Sequence, residues 1–482
     1  MRTAGSAGLT LAACLCVATP LRTQKTAAAE PHGETKKLHY APRDQQTGRY
    51  QHVPFEVPAG TTRLRIFLRF DKANGANVVD LGLFEPGPLD LGTKSFRGWS
   101  GGERSEISVG VDSATPGYWP GPIPAGTWHV MLGLYKVSEA GVDVELQMGT
   151  SSDPAGPTPG LAVRPPEPIR RGAAWYSGAL HAHTHHSDGA LPPAELARRA
   201  RAEGLDFLAI TDHNNTASQL DTINEPGLLV ITGEEITTPG GHVNAWGLGG
   251  ARDVVDFRIL PGDGRLGPLL AGARRRGVLF AINHPRTSCV ACSWTHEIPD
   301  AVTAIEVANI QHEEMAQSLA MWDTLLRAGR RLVAIGTSDW HRGLAPIGAA
   351  SVRVRAHELS TRAILAAIEA GRVIVMGDAA TPPPMFTVRA GERDVQVGDT
   401  LQVAGGGRLE VVVAPGASPA YEGAKVELLW RGETVATAVL SSGAPARFER
   451  FALAPGYLRV EVTAATGAPI SLTNPIFIEI AR

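Results

Sequence analysis

The chain has 482 residues, 43% of them hydrophobic, enough for about two to four domains with cores of ordinary size. Its formal net charge of −3 offers no electrostatic basis for binding nucleic acid or an anionic membrane surface. Beyond residue 29 no apolar run approaches the ~20 residues that a membrane-spanning helix needs.

Residues 1–29 read as an export signal, which predicts a periplasmic or extracellular protein. Arg2 supplies a positive charge, 8–18 form a short apolar run, and Ala27-Ala28-Ala29 is a small-residue stretch suited to cleavage. Leu11-Ala12-Ala13-Cys14 resembles a lipobox, so a lipid anchor at Cys14 is the alternative route. Signal removal takes Cys14 and Cys16 with it and leaves Cys289 and Cys292, spaced as Cys-Val-Ala-Cys. In an oxidising compartment these two suit a local disulfide that staples a loop. A zinc site would need two more soft ligands, and no second such pair exists.

Residues 45–150 alternate in a β-like manner over 53–57, 62–69, 78–84, 106–111, 128–135 and 142–148. Pro- and Gly-rich turns separate these runs, which predicts a jelly-roll-like β-sandwich. A Pro-, Gly- and Ser-rich linker covers 151–171. The character then changes over 172–380. Helices are predicted at 192–203, 265–276, 313–328 and 361–370, and strands at 207–211, 228–236, 278–283, 304–307 and 332–337. Repeated β-α units imply a mainly parallel sheet or a barrel, with function at the carboxyl ends of the strands. Residues 385–482 return to strands, at 409–413, 425–430, 433–440, 448–453 and 457–464, and predict an Ig-like sandwich.

Ten of the fifteen histidines fall between His181 and His341. The densest run is His181-Ala182-His183-Thr184-His185-His186-Ser187-Asp188-Gly189, directly after 175–180, which can end a strand. In an H-x-H on extended backbone both imidazoles point to one face, and imidazole is the commonest metal ligand among side chains. Asp212 and His213 follow the 207–211 strand, Glu234 and Glu235 the next, with His242 seven residues on beside a Gly-Gly pair. His284 ends 278–283, and Asp339 and His341 end 332–337. Five strand ends therefore each deliver nitrogen or oxygen ligands, which predicts a metal site.

These motifs resemble the PHP (polymerase and histidinol phosphatase) superfamily, and within it the CehA/McbA-like metallohydrolases. They are His181-Ala-His183 with Ser187-Asp188-Gly189, Thr211-Asp212-His213, Gly233-Glu234-Glu235, Gly241-His242-Val243, Asn283-His284-Pro285 and Ser338-Asp339-Trp340-His341, in family order across 172–380. The resemblance implies a distorted (β/α)7 barrel flanked by the two all-β sandwiches, with two to three divalent ions. His181, His183, Glu235 and Asp339 would hold the first ion. Glu235, as a bridge, would hold the second with His242 and His284, and Asp188, His213 and His341 the third. Such ligands suit Zn, Mn or Fe.

The resemblance also implies hydrolysis of a small-molecule ester by a metal-activated hydroxide, with phosphoester hydrolysis as the leading expectation. Carboxylic or carbamate ester hydrolysis of the CehA/McbA type is the alternative. Arg286 and Arg342 are candidates to hold an anionic group, or else to make structural ion pairs. His185 is a candidate proton donor, with His186 beside it on the rim. Asp212 is expected to orient a ligand, Glu306 and Asn309 to line the pocket, and Trp340 to wall it or pack in the core. His296 and His312 default to the surface. A different class of function, a carbohydrate- or surface-binding protein with an inactive barrel, would require loss of a metal motif, and none is lost. An amidohydrolase-type barrel would need a carboxylated lysine, yet no lysine lies between His181 and His341.

Overall fold

The computed structural model describes residues 33–289, 291–309, 315–441 and 443–481. The expected export signal, Cys14, Cys16 and His312 lie outside the described residues. No helix among the described residues is long and apolar enough to cross a membrane.

Two four-stranded antiparallel sheets form the N-terminal sandwich. One runs Gly33–Tyr40, Val142–Ser151, Arg63–Phe70, Glu106–Gly110, and the other Tyr50–Val57, Gly126–Lys136, Val78–Phe84, Phe96–Trp99. Alternation along Arg63–Phe70 buries Leu64, Ile66 and Leu68 against Leu81, Val130 and Leu132 of the facing sheet, as a half-buried strand requires. Among the described residues the sandwich already includes Gly33–Tyr40, earlier than the sequence pattern implied, because this is an edge strand whose polar side chains mask the alternation.

The central region departs from a plain sevenfold β/α repeat. Arg170–Ala179, Phe207–Ile210 and Leu229–Thr238 pair in parallel, and so do Leu279–Ile282, Ala304–Asn309 and Val333–Thr337. Between the two groups Gly241–Trp246 is inserted antiparallel to both neighbours. It begins at Gly241, whose φ of +122° suits the tight turn after Thr238. Val352–Leu359 returns antiparallel beside Arg170–Ala179, and Val373–Met376 pairs antiparallel with Val352–Leu359 in turn. Helices Pro193–Ala202, Leu266–Arg274, Met315–Arg327 and Thr361–Glu369 accompany these strands. A parallel bridge between Ala182 and Trp340, with His183 N–H donating to Trp340 O at 2.8 Å, joins the chain just past the first and last parallel strands. The sheet therefore curls, and the ends that carry the motifs converge.

The C-terminal strands do not form a detached unit. Val373–Met376 pairs with Pro469–Thr473, so one face of the C-terminal sandwich continues the central sheet. Met385–Ala390, Arg393–Gln396, Gly407–Ala414 and Ala446–Ala452 make the other face. Ile374 and Met376 share a core with Val388, Val426 and Val460. The 152–169 stretch has no regular structure but lies against the central region, where Arg164 donates to Asp221 O at 3.0 Å and Ser218 O at 3.1 Å.

Candidate metal centre

His181 and His183 lie just past Arg170–Ala179 and point to one side. Their Nε2 atoms are 3.0 Å apart, and each is 3.1 Å from Asp339 Oδ1. Three such atoms in a near-equilateral triangle cannot be satisfied by one another's hydrogens alone, because each N–H aims at a single acceptor. Atoms held about 2.1 Å from one ion at tetrahedral or octahedral angles lie ~3.0–3.4 Å apart, which is the spacing seen. Glu235 closes the group, with Oε1 3.4 Å from His181 Nε2 and Oε2 3.6 Å from His183 Nε2.

The strand Leu229–Thr238 sorts its two adjacent glutamates by the period of two. Glu235 faces the cluster. Glu234 faces away, accepts from Val255 N–H at 2.6 Å, and is pushed well above the usual carboxyl range by burial. Burial opposes ionisation of Glu235 too, but His242, His181 and His213 hold its carboxyl well below the usual value.

Glu235 also connects to a second set of donors. His242 Nδ1 lies 3.1 Å and His284 Nε2 3.2 Å from Glu235 Oε1, which accepts from Asn283 Nδ2 at 2.8 Å. A third set surrounds Asp188 Oδ1, with His341 Nε2 at 3.4 Å, His213 Nε2 at 3.7 Å and His183 Nδ1 at 3.8 Å. His213 spans two sets, since its Nδ1 lies 2.8 Å from Glu235 Oε2.

The donor set fits divalent ions. Asp188 Oδ1 and His242 Nε2 are buried with no hydrogen-bond partner, and such atoms are costly unless an ion or water meets them. Burial, then His341 and His213, lowers His183 to about 4, which keeps its imidazole neutral at pH 7. Burial opposes protonation of His213, but the Glu235 and Asp188 carboxylates raise it to about 9. His284 and Asp339 hold left-handed backbone, at φ 27° and 47°. For non-glycine residues that conformation is strained and clusters at functional sites.

Further side chains hold these groups in place. Glu306 Oε1 lies 2.7 Å from His181 Nδ1, and its Oε2 accepts from His284 N–H at 2.8 Å and Asn309 Nδ2 at 3.0 Å. Glu306 is thus a partner of cluster residues and not pocket lining, as is usual for a histidine whose other nitrogen binds metal. Asp212 accepts from Thr184 N–H and Oγ1, both at 2.7 Å, and from Ser187 Oγ at 2.9 Å. Ser187 Oγ in turn sits 3.3 Å from His183 Nδ1.

The other expectations are met in part. His185 and His186 turn away from the cluster toward Asp221. His186 Nε2 lies 2.6 Å from Asp221 Oδ2, and its Nδ1 accepts from Gly117 N–H at 3.0 Å, so both ring nitrogens are engaged. His185 is not among the residues lining the cavity beside the cluster, and only its backbone O reaches the sandwich, through Arg104 Nη2 at 2.6 Å. Arg342 is exposed and donates to Asp188 O at 2.8 Å, while Arg286 is exposed, and neither lines the cavity. His296 is buried, 2.7 Å from Thr238 Oγ1, and Trp340 is a core residue whose Nε1 donates to Ala345 O at 2.9 Å. Cys289 and Cys292 form the expected local disulfide.

The cavity itself, of about 300 Å³, has a wall that the motifs do not reveal. Asp188, His213 and His242 line one side, and Arg49, Asp80 and Trp99 of the N-terminal sandwich line the other.

Residues 179–260 match the family model for the PHP domain. Among curated proteins, a 5'-3' exoribonuclease of Haemophilus influenzae is 44% identical over 62 residues, which span 12% of this chain and 23% of that protein. Among solved structures, a two-domain protein of Bacteroides vulgatus containing a predicted PHP-like metal-dependent phosphoesterase is 18% identical. It covers 67% of this chain and 100% of its own, with a TM-score of 0.37. A candidate metal-dependent phosphoesterase of Bifidobacterium adolescentis is 18% identical, covering 39% of this chain and 96% of its own at a TM-score of 0.26.

Proposed function

We propose that the PHP segment at 179–260, completed by strand ends out to His341, forms the active site of an exported metal-dependent hydrolase that cleaves phosphate esters. The observation that carries this reading is the convergence of Glu235, Asp339, Asp188 and six imidazoles beside a cavity of about 300 Å³, a size that suits a small molecule. His181, His183, Glu235 and Asp339 would hold one ion, Glu235, His242 and His284 a second, and Asp188, His213 and His341 a third. Such ions, when bound, lower the pKa of water to about 7 and polarise the ester oxygen. The chain's own residues do the rest. Glu306 fixes the His181 ring, Asp212 holds the loop that carries His183 and Asp188, and Arg49 brings positive charge to the substrate side of the cavity.

A carboxylic or carbamate ester is the second reading. It is favoured by the aromatic lining from Tyr50, Trp99 and Tyr135 and by the absence of Arg286 and Arg342 from the cavity. Rates on p-nitrophenyl phosphate, bis-p-nitrophenyl phosphate and p-nitrophenyl acetate, with Mn or Zn added, separate the two. Preference for a phosphate ester supports the first reading, and preference for the acetate overturns it. Elemental analysis should find two to three metal equivalents. A fully active protein without metal would sink both readings. His183→Ala and Asp339→Ala should each lower kcat/KM by at least about 10³-fold, while circular dichroism of the sandwiches stays unchanged.

A further inference from the structure

The N-terminal sandwich supplies more than a roof. Asp80 lies on the strand Val78–Phe84 and lines the same cavity as Asp188, His213 and His242. In the ladder with Gly126–Lys136 it stands opposite Gly133. A Cβ placed on Gly133 would sit 2.9 Å from Asp80 Oδ2, and one on Gly102 3.5 Å from Oδ1. Glycine at 133 is therefore what leaves room for the carboxyl group. Among the described residues no protein donor hydrogen-bonds this carboxyl and no cation lies within ion-pair distance of it. Arg49 shares the cavity wall with Asp80 but gives its Nη1 to Leu134 O and Tyr135 O, both at 3.3 Å. An acid so placed, with its space cleared and its oxygens left to the cavity, has a ligand as its natural partner. Burial pushes Asp80 up to about 7, against the pull of Arg49 and His213, so it can carry a proton near neutrality.

We propose that Asp80 is a catalytic residue of the hydrolysis, donating a proton to the leaving oxygen from the part of the cavity wall that the N-terminal sandwich supplies. This inference rests on the hydrolase reading above. As the water oxygen bonds to phosphorus, the bond from phosphorus to the ester oxygen breaks, and the departing oxygen takes the proton of Asp80. The proton of the attacking water leaves with the phosphate product or to solvent, and Asp80 regains a proton from solvent. No oxidation or reduction occurs.

The test is leaving-group dependence in the full, Mn-loaded chain. Phenoxide leaves poorly without a proton, whereas p-nitrophenoxide leaves readily. Asp80→Asn should lower kcat/KM on phenyl phosphate about 100-fold and on p-nitrophenyl phosphate less than about threefold. Asp80→Ser should show the same split, and Asp80→Glu should restore part of the loss. Binding of inorganic phosphate, measured by calorimetry, should shift less than about threefold in Asp80→Asn, because the metal centre is untouched. Equal losses on both esters, no loss on either, or weakened phosphate binding would overturn the role of Asp80 while leaving the hydrolase reading intact. Failure of the wild-type protein to hydrolyse any ester would overturn that reading, and this inference with it.

Discussion

Glu306 shows how one carboxylate can set a metal site without touching the ion. Its two oxygens tie the His181 ring to the backbone of His284, so one side chain orients members of two donor sets. Glu306→Gln keeps the shape but removes the charge that sharpens the His181 hydrogen bond. The expected result is a loss of about 10–100-fold in metal affinity, read by competition with a chelator, with little change in melting temperature. Metal affinity equal to wild type would show that the contact is only structural. Most of the cluster residues were legible because they lie near or just past the end of a predicted strand, where such folds collect function, whereas His242 lies at the start of the antiparallel strand Gly241–Trp246. The direction of His185 was not, because a loop residue has no periodicity to fix its facing. Nor were Arg49 and Asp80, which belong to no motif and meet the site only through long-range packing.

At the scale of elements, the alternation that predicted strands held at Arg63–Phe70 and Val142–Ser151, where one face is buried, although Met385–Ala390 and Thr400–Val403 alternate as well and were not predicted. It failed at Gly33–Tyr40, whose side chains are mostly exposed, and at Gly241–Trp246, where every residue is buried and no alternation can appear. The β/α repeat is likewise interrupted, since the antiparallel strand Gly241–Trp246, which carries His242, inserts between the two parallel groups. Gly189 marks the sharpest local constraint in the histidine loop, because a Cβ there would lie 2.3 Å from His183 O. Gly189→Ala should therefore displace His183 and lower metal occupancy, measured by elemental analysis.

The strand Tyr50–Val57 carries a pH signature of its own. Burial, then Arg258 and His129, lowers His52 from 6.5 to about 4, and its Nε2 is buried with no hydrogen-bond partner. The unfolded chain thus takes up this proton first. The stability that neutral His52 contributes is complete above pH 6.5 and is lost as pH falls toward 4. His52→Leu should lose less melting temperature than the wild type between about pH 7 and pH 4.5. Equal losses would contradict the assignment.

Across the whole molecule, the three regions share cores. Phe84, Phe96, Trp99 and Met131 of the N-terminal sandwich pack in one cluster with Ile236, Val243 and Phe257 of the central region. Trp99 and Phe257 have ring centroids 5.0 Å apart. At the other end Arg459 donates to Asp323 at 2.6 and 3.2 Å with both side chains buried, which ties the C-terminal sandwich to the helix Met315–Arg327. Calorimetry should therefore show one cooperative transition. Phe257→Ala should destabilise that transition by about 3–5 kcal/mol through the cavity it leaves. Arg459→Met strands a buried carboxylate and should cost about 3–5 kcal/mol as well. Separate transitions for the sandwiches would refute the shared-core picture.

His186, pinned between Gly117 of the sandwich and Asp221 of the central region, has a consequence for timing. The loop that bears His181, His183 and Asp188 is held in place by a segment synthesised some way ahead of it, while Asp339 and His341 emerge much later. A partial chain ending before residue 339 has every residue that lines the cavity but lacks Asp339 and His341 of the donor sets. On the function proposed above, the donor sets are complete only when the most distant parts of the chain have met.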